Sequence, residues 1–195
     1  TTCGDDCADV YGNLYNWAVV NDDRGVCPDG FHVPSDEEWT ILTNSLGGTS
    51  VAAGKMKEAG LDHWDSPNTG ATNESGFTGL PAGYRYIYNG NYTNMGIFGY
   101  FWSSSETNSL FAWYRLLYYN NSDVIRYSPR KQDGFSIRCL ETIDGCTHPN
   151  ATNYDETANV DDGSCEYDDP LVMCDNGYTE INGACYYQYD LEVLN

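Results

Sequence analysis

Eight cysteines, at positions 3, 7, 27, 139, 146, 165, 174 and 185 of a 195-residue chain, constrain this sequence more than any other feature. Their number is even and no Cys-x-x-Cys pair occurs, so they read as disulfides and not as a zinc site. Disulfides persist where the surroundings oxidise, which predicts an extracellular or cell-surface protein. No run reaches the ~20 apolar residues of a membrane span, so membrane insertion is not expected. Thr1-Thr2-Cys3-Gly4-Asp5-Asp6 is no signal peptide, and the chain is expected to be a mature form or a piece of something longer.

Asp and Glu number 29 against 9 Lys and Arg, a formal net charge of -20. Such a surface repels phosphate backbones and anionic membranes, which excludes nucleic acid as a partner. It accumulates cations instead, and clustered Asp and Asn side chains offer the oxygen ligands that suit calcium. With 17 Tyr, 20 Gly and 5 Trp beside only 19% charged residues, the composition favours short strands and ordered loops over helical bundles.

From Tyr11 to about Leu140 the chain is aromatic and punctuated by glycine. From Asp144 onward it is acidic and bounded by cysteines. A boundary near Thr142 follows, with domains at 1–142, 143–167 and 168–195. One helix is well signalled: Ser35 caps it, Glu38 completes the S-x-x-E box, Trp39, Leu42 and Leu46 form its apolar face, and Gly47-Gly48 stops it. A shorter helix is expected over Val51 to Glu58, weakened by Gly54 and ended by Gly60. Leu61 to Gly83, rich in Asn, Thr, Ser, Pro and Gly, reads as a long loop of the kind that carries function or metal. Strands are expected over Tyr84–Tyr88, Gly99–Ser103, Ala112–Tyr119, Val124–Tyr127 and Gly134–Leu140, joined by turns as a meander. Alternation puts Trp113, Arg115 and Leu117 on one face and Tyr114, Leu116 and Tyr118 on the other. Trp102 and Trp113 read as core.

Several motifs then occur in one order: Tyr11-Gly12-x-Leu14-Tyr15-Asn16-Trp17; Val26-Cys27-Pro28-x-Gly30-Phe31-His32-Val33-Pro34-Ser35-Asp36-x-Glu38-Trp39; and Asn68-Thr69-Gly70-Ala71-Thr72-Asn73-Glu74-Ser75-Gly76-Phe77. Leu80-Pro81-Ala82-Gly83-Tyr84-Arg85, Trp102-Ser103-Ser104-Ser105-Glu106 and Gly134-Phe135-Ser136-Ile137-Arg138-Cys139 follow. Over roughly its first 140 residues the chain resembles the Fibrobacter succinogenes major paralogous domain. That family is similar in turn to the formylglycine-generating branch of the C-type-lectin-like fold. The resemblance implies an α+β architecture: small twisted antiparallel sheets, one or two helices and long ordered loops, followed here by small disulfide-bounded C-terminal modules. Family members commonly carry strand sequence ahead of the Tyr-Gly-x-Leu-Tyr-Asn-Trp motif where this chain has ten residues, so part of the domain is expected to be missing.

Gly145 to Cys165 resembles a short repeat of large secreted Bacteroidota proteins, whose usual Asp is replaced here by His148. Cys174 to Tyr186 resembles a small cysteine hairpin that precedes other surface modules. These modules imply the pairs Cys27–Cys139, Cys146–Cys165 and Cys174–Cys185, leaving Cys3 with Cys7. A bridge closing the long loop between Cys27 and Cys139 stabilises by about 4 to 5 kcal/mol in the loop-entropy model.

For metal, the candidate ligands are Asn153, Asp155, Asn159, Asp161 and Asp162, beside Gly163 and a disulfide; calcium suits them. The spacing departs from an EF-hand, because Gly163 comes one place too early and no Glu stands at the twelfth position. Asx turns that cap their own backbone are the alternative. Similar lectin-like proteins place their ligand surface on the C-terminal meander, which here assigns ligand contacts to Tyr119, Asn120, Asn121, Ser122, Arg126 and Tyr127. Tyr, Asn, Ser and Arg are also the palette of recognition loops.

Catalysis is not expected. Formylglycine-generating relatives rely on a cysteine pair, and Cys139 is consumed by the implied disulfide. His32, His63 and His148 are scattered, and no Gly-x-Ser-x-Gly occurs. The expected function is a non-catalytic, calcium-supported recognition or adhesion module that binds a glycan or protein at a bacterial cell surface. The alternative is a spacer or filament-forming unit of a large multidomain adhesin, touching copies of itself or other modules of the same protein.

Overall fold

The computed structural model describes residues 7–167, together with the backbone of two strands at 178–181 and 184–187. The chain divides into two units, Thr1–Leu140 and Glu141–Asn195. In the first, α1 (Cys7–Tyr11), α2 (Trp17–Val20), β1 (Phe31–His32), α3 (Asp36–Ser45) and α4 (Ala52–Met56) precede β2 (Tyr84–Arg85), β3 (Tyr92–Thr93), β4 (Phe98–Glu106), β5 (Ala112–Tyr118) and β6 (Val124–Tyr127). β7 (Leu140–Glu141) pairs with β1. The architecture is α+β with small sheets: β4-β5-β6 is antiparallel, and β2-β3 is a separate two-stranded hairpin.

The expected helix forms over Asp36–Ser45 with the full capping box, since the Ser35 side chain accepts from the Glu38 amide and the Glu38 carboxylate accepts from the Ser35 amide. The other Glu38 oxygen lies 2.9 Å from His32 Nε2, which gives that histidine a structural role. The second helix is shorter than expected, Ala52–Met56. Gly54 is required inside it, because a Cβ there would sit 2.5 Å from the Gly70 carbonyl oxygen.

Both faces of the three-stranded sheet are covered, which explains why β5 is buried along almost its whole length. On one face Phe101, Leu117 and Val124 pack with Trp39, Ala52, Ala53, Met56 and Trp64. On the other, Tyr100, Trp102, Ala112, Tyr114 and Leu116 pack with Trp17 and Phe135. The alternation read from the sequence therefore separates two cores. Trp17, Trp39, Trp64 and Trp102 are buried, and each donates its indole N–H to a backbone carbonyl, satisfying the one polar atom a buried Trp carries. Trp113 differs from the expectation. It is only half-buried, and the Arg126 guanidinium stacks over it at 3.4 Å.

Arg115 explains part of that difference. β5 aims it at α3, where it is 2% exposed, and it donates to Asp36 Oδ1 at 2.6 Å, to the Asp36 carbonyl and to Thr40 Oγ1. Asp36 also accepts two oxygens' worth of hydrogen bonds from Arg126. Trp113 thus carries the outer guanidinium of a three-residue network.

The 61–83 loop is ordered by side chains that bond backbone. Asn68 Nδ2 donates to the Glu58 and Gly60 carbonyls, and Asn73 bonds both the amide and hydroxyl of Thr78. Lys57 is buried and donates to the carbonyls of Thr69, Tyr118 and Asn121 at 2.9–3.0 Å. It ties the loop and the β5-β6 turn to the end of α4.

The expected strand over Gly134–Leu140 is not one ladder. Its first residues pair in succession with three segments: Gly134 with Arg85, Phe135 with Tyr15, and Ser136 with Tyr100 and Trp102. Cys27–Cys139 is a disulfide, as the resemblance implies. Cys7 is disulfide-bonded, and its expected partner Cys3 lies outside the described residues.

In the second unit, β8 (Asp144–Gly145) and β9 (Val160–Asp161) run parallel, and Cys146–Cys165 closes a segment that contains β9. β10 (Tyr178–Ile181) and β11 (Ala184–Tyr187) form an antiparallel hairpin. The expected Cys174–Cys185 bridge lies outside the described residues. Among the described residues no helix is long and apolar enough to cross a membrane.

Candidate functional site

The segment 133–136 builds the site. Because Gly134 and Phe135 are clamped by backbone pairs to Arg85 and Tyr15, Asp133 is held against the outer end of the β2-β3 hairpin. There its Oδ1 accepts from the Ile87 amide at 3.1 Å. Gly134 permits the approach, since a Cβ there would lie 3.0 Å from Arg85 Cβ. Phe135 points inward as a floor, stacked on Tyr100 with centroids 4.9 Å apart and planes 11° from parallel.

Above that floor runs a continuous series of tyrosine rings. Tyr88, Tyr86 and Tyr84 follow one another at 5.2 and 6.2 Å. Tyr84 meets Tyr100 at 5.1 Å, Tyr100 meets Tyr114 at 5.6 Å, and Tyr114 meets Tyr127 at 6.4 Å. The series starts and ends in solvent, with Tyr88 67% and Tyr127 63% exposed, and is buried in the middle at Tyr100 and Tyr114. Edge and tilted ring pairs of this kind contribute about 0.5–1.5 kcal/mol each beyond burial, so the face is preorganised by its own packing. The Tyr114 hydroxyl makes no hydrogen bond among the described residues. It is also not sealed, because Asn68 Oδ1 is the sole fully buried, unpartnered side-chain polar atom among them. This hydroxyl opens to water.

Electrostatics join Asp133 to the rings. Burial pushes the Tyr100 phenol up to about 12 and Tyr114 higher still, with the Asp133 charge adding to both. Tyr84 is raised by burial and then by Asp133. Burial also raises Asp133, against smaller opposing effects of the Ile87 amide and the Arg130 charge. At neutral pH the buried Tyr100 and Tyr114 hydroxyls therefore stay protonated.

The ligand residues expected from sequence fall into two groups. Tyr119 packs partly against the helix-side core, Asn120 is exposed, and Asn121 and Ser122 are tied inward. The Asn121 carbonyl accepts from Lys57, and the Ser122 hydroxyl donates to the Thr69 carbonyl. Arg126 and Tyr127 lie beyond this turn on β6, where Arg126 is held by Asp36 and Trp113. Of the six, Tyr127 alone joins the tyrosine series. Sequence reasoning missed Tyr84, Tyr86, Tyr100 and Asp133. Alternation over Tyr84-Arg85-Tyr86-Ile87-Tyr88 was a usable signal, since it sets three rings on one face of extended chain, whereas nothing local marks Asp133.

In the second unit the five expected metal ligands all bond backbone. Asn153 bridges Glu166 and Ser164, and Asn159 bridges Ile143 and Glu141. Asp155, Asp161 and Asp162 each use one oxygen on an amide two residues ahead, at Thr157, Gly163 and Ser164. Hydrogen bonds from the Thr157 and Ser164 side chains, and after them these amides, hold Asp155 and Asp162 below the usual carboxylate range. The three aspartates form Asx turns, and both asparagines are committed at both ends of their amides. His148, where the repeat has Asp, lies with Nδ1 2.8 Å from the Tyr167 hydroxyl.

No curated protein and no solved structure matches the chain. A family model described as the Fibrobacter succinogenes major domain matches residues 3–141. That span holds both cores, the Cys27–Cys139 bridge and every residue of the tyrosine face. The chain belongs, through its first unit, to the Fibrobacter succinogenes major domain family.

Proposed function

We propose that the first unit is a C-type-lectin-like, non-catalytic recognition module of an extracellular or surface-attached protein, and that its ligand, a glycan or a protein, lies on the tyrosine face. One observation carries the reading. Tyr86, Tyr88 and Tyr127 expose large rings that are already packed in place, and Tyr gives wide rigid contact at low entropic cost. Asn89 and Asn91 lie between the two strands of the same hairpin and offer exposed amide groups. The Cys27–Cys139 and Cys146–Cys165 disulfides and the bonded Cys7 support an oxidising environment.

The test is a glycan and surface-protein array probed with the full chain and with a Tyr86→Ala/Tyr127→Ala variant. A ligand bound by the parent and lost by the variant supports the proposal, whereas binding that survives in the variant removes the tyrosine face from it. Calcium belongs to the proposal as a support of the second unit. Asp155, Asp161 and Asp162 each engage one oxygen in a turn, so a calcium ion would draw on their second oxygens and on loop carbonyls. A melt of the second unit's transition in calcium and in chelator checks this, and coincident curves refute it.

A further inference from the structure

We propose that the tyrosine face takes an alkylammonium group, which sits against Asp133 and among the faces of Tyr84, Tyr100, Tyr114 and Tyr127. This rests on the recognition reading above and names the chemistry of its ligand.

Asp133 is 9% exposed. Among the described residues its carboxylate accepts one hydrogen bond, from the Ile87 amide, and forms none of the ion pairs found there. Buried carboxylates are ordinarily paired, because burial strips hydration that a partner must return; the unpartnered Asp133 oxygen is not fully sealed, so it is the point at which a ligand reaches the carboxylate. Asp36 in the same unit illustrates the ordinary case, with two guanidiniums on it. The cation nearest in effect to Asp133 is Arg130, which is exposed and turned over the Phe111 ring at 5.8 Å. Among the described residues no cation pairs with Asp133, and a cation carried by a ligand fits that place.

The surroundings select its kind. Tyrosine faces attract cations through the ring quadrupole, most strongly when water is displaced. The Ile87 amide takes one acceptor position of Oδ1, and a compact ammonium, a point charge with rotatable donors, adapts to the positions that remain. A guanidinium fork seeks two parallel acceptors. A calcium ion seeks six to eight oxygens, and a single carboxylate ringed by neutral phenols is a poor match. The net charge of -20 draws cations toward the whole chain. Tyr86 and Tyr88 continue the rings outward and offer a surface for whatever carries the ammonium.

A lysine side chain and an amino sugar share this chemistry, and the test separates them. The full chain is titrated with Nα-acetyl-lysine methylamide and with glucosamine, each against its neutral counterpart, Nα-acetyl-norleucine methylamide and N-acetylglucosamine, by tyrosine ring NMR shifts. At least one amine is expected to bind about tenfold or more tighter than its counterpart, the order expected for a desolvated charge pair. Asp133→Asn, which keeps the Ile87 bond, is expected to erase that preference. Binding by the lysine probe alone points to a protein ligand, and by glucosamine alone to a glycan. Equal binding of amine and neutral forms, or a preference that survives Asp133→Asn, overturns the inference while leaving the recognition reading intact. Shifts with no probe overturn the inference, and the array above then decides the recognition reading by itself.

Discussion

Asp36→Asn isolates the most consequential polar network in the first unit. Arg115 is 2% exposed, and Asp36 is its counter-charge. The asparagine keeps the shape, and the Asp36 carbonyl and Thr40 hydroxyl still accept from Arg115, so the main loss is the negative charge. Leaving one member of a buried pair uncompensated costs about 3–5 kcal/mol; with two acceptors retained, the low end, about 3 kcal/mol, applies. At about 2–4 °C per kcal/mol for a unit of this size, Tm falls by about 6–12 °C. Tryptophan fluorescence is the assay, because all five tryptophans, at 17, 39, 64, 102 and 113, lie in the first unit.

The same network fixes the pH dependence. Burial alone would raise Asp36, but the hydrogen bonds from Arg126 and Arg115 outweigh it and hold the carboxyl below its ordinary value. A depressed folded pKa contributes stability that is present above the unfolded value near ~3.9 and is lost as pH falls through the folded one. The gap in Tm between parent and Asp36→Asn should therefore be constant from about pH 5 to 8 and close in stronger acid. Arg126→Ala is the internal control. Its side chain is 44% exposed, and such pairs contribute about 0–1 kcal/mol. If Asp36→Asn costs no more than Arg126→Ala, or if the gap persists in acid, the reasoning fails.

Asp133→Asn should behave in the opposite way: its carboxyl is raised by burial, so the charged form opposes folding at neutral pH, and Tm should hold or rise at pH 7; a clear fall refutes the unpaired-carboxylate reading. Replacing Cys27 and Cys139 together by Ala removes a bridge across 112 positions and should cost about 4–5 kcal/mol in a denaturant melt; a cost below about 1 kcal/mol would refute the loop-entropy account. Burial pushes Lys57 down to about 8, so the unfolded chain binds more protons between that value and ~10.4, and the lysine's contribution to stability rises with pH across this window. Tm of the parent relative to Lys57→Met should climb from pH 7 to 10, and a decline would mean that the three carbonyls favour the ammonium more than burial opposes it.

What was legible in the sequence was local or periodic. The Ser35 to Glu38 box encodes its helix within four residues, and Val124–Tyr127 forms the strand its β-branched and aromatic residues predict. The 112–118 alternation correctly divides two buried faces, though it could not say that Arg115 belongs to one of them. Gly134–Leu140 was misread because its residues pair with three different segments, and partners at positions 15, 85 and 100 leave no periodic trace.

By itself the sequence determined the oxidising setting, the α3 cap, the strand alternation and the family, because each depends on residue types at short or fixed spacing. Only the tertiary structure decided the candidate site. Tyr84, Tyr100, Tyr114, Tyr127 and Asp133 come from five segments, which meet through the β4-β5-β6 ladder and the backbone pairs of Gly134 with Arg85 and Ser136 with Tyr100. Whether Asp133 or Asp36 receives a counter-charge depends on which side chains long-range packing brings within a few ångströms, and no property of either aspartate's neighbours in sequence carries that information.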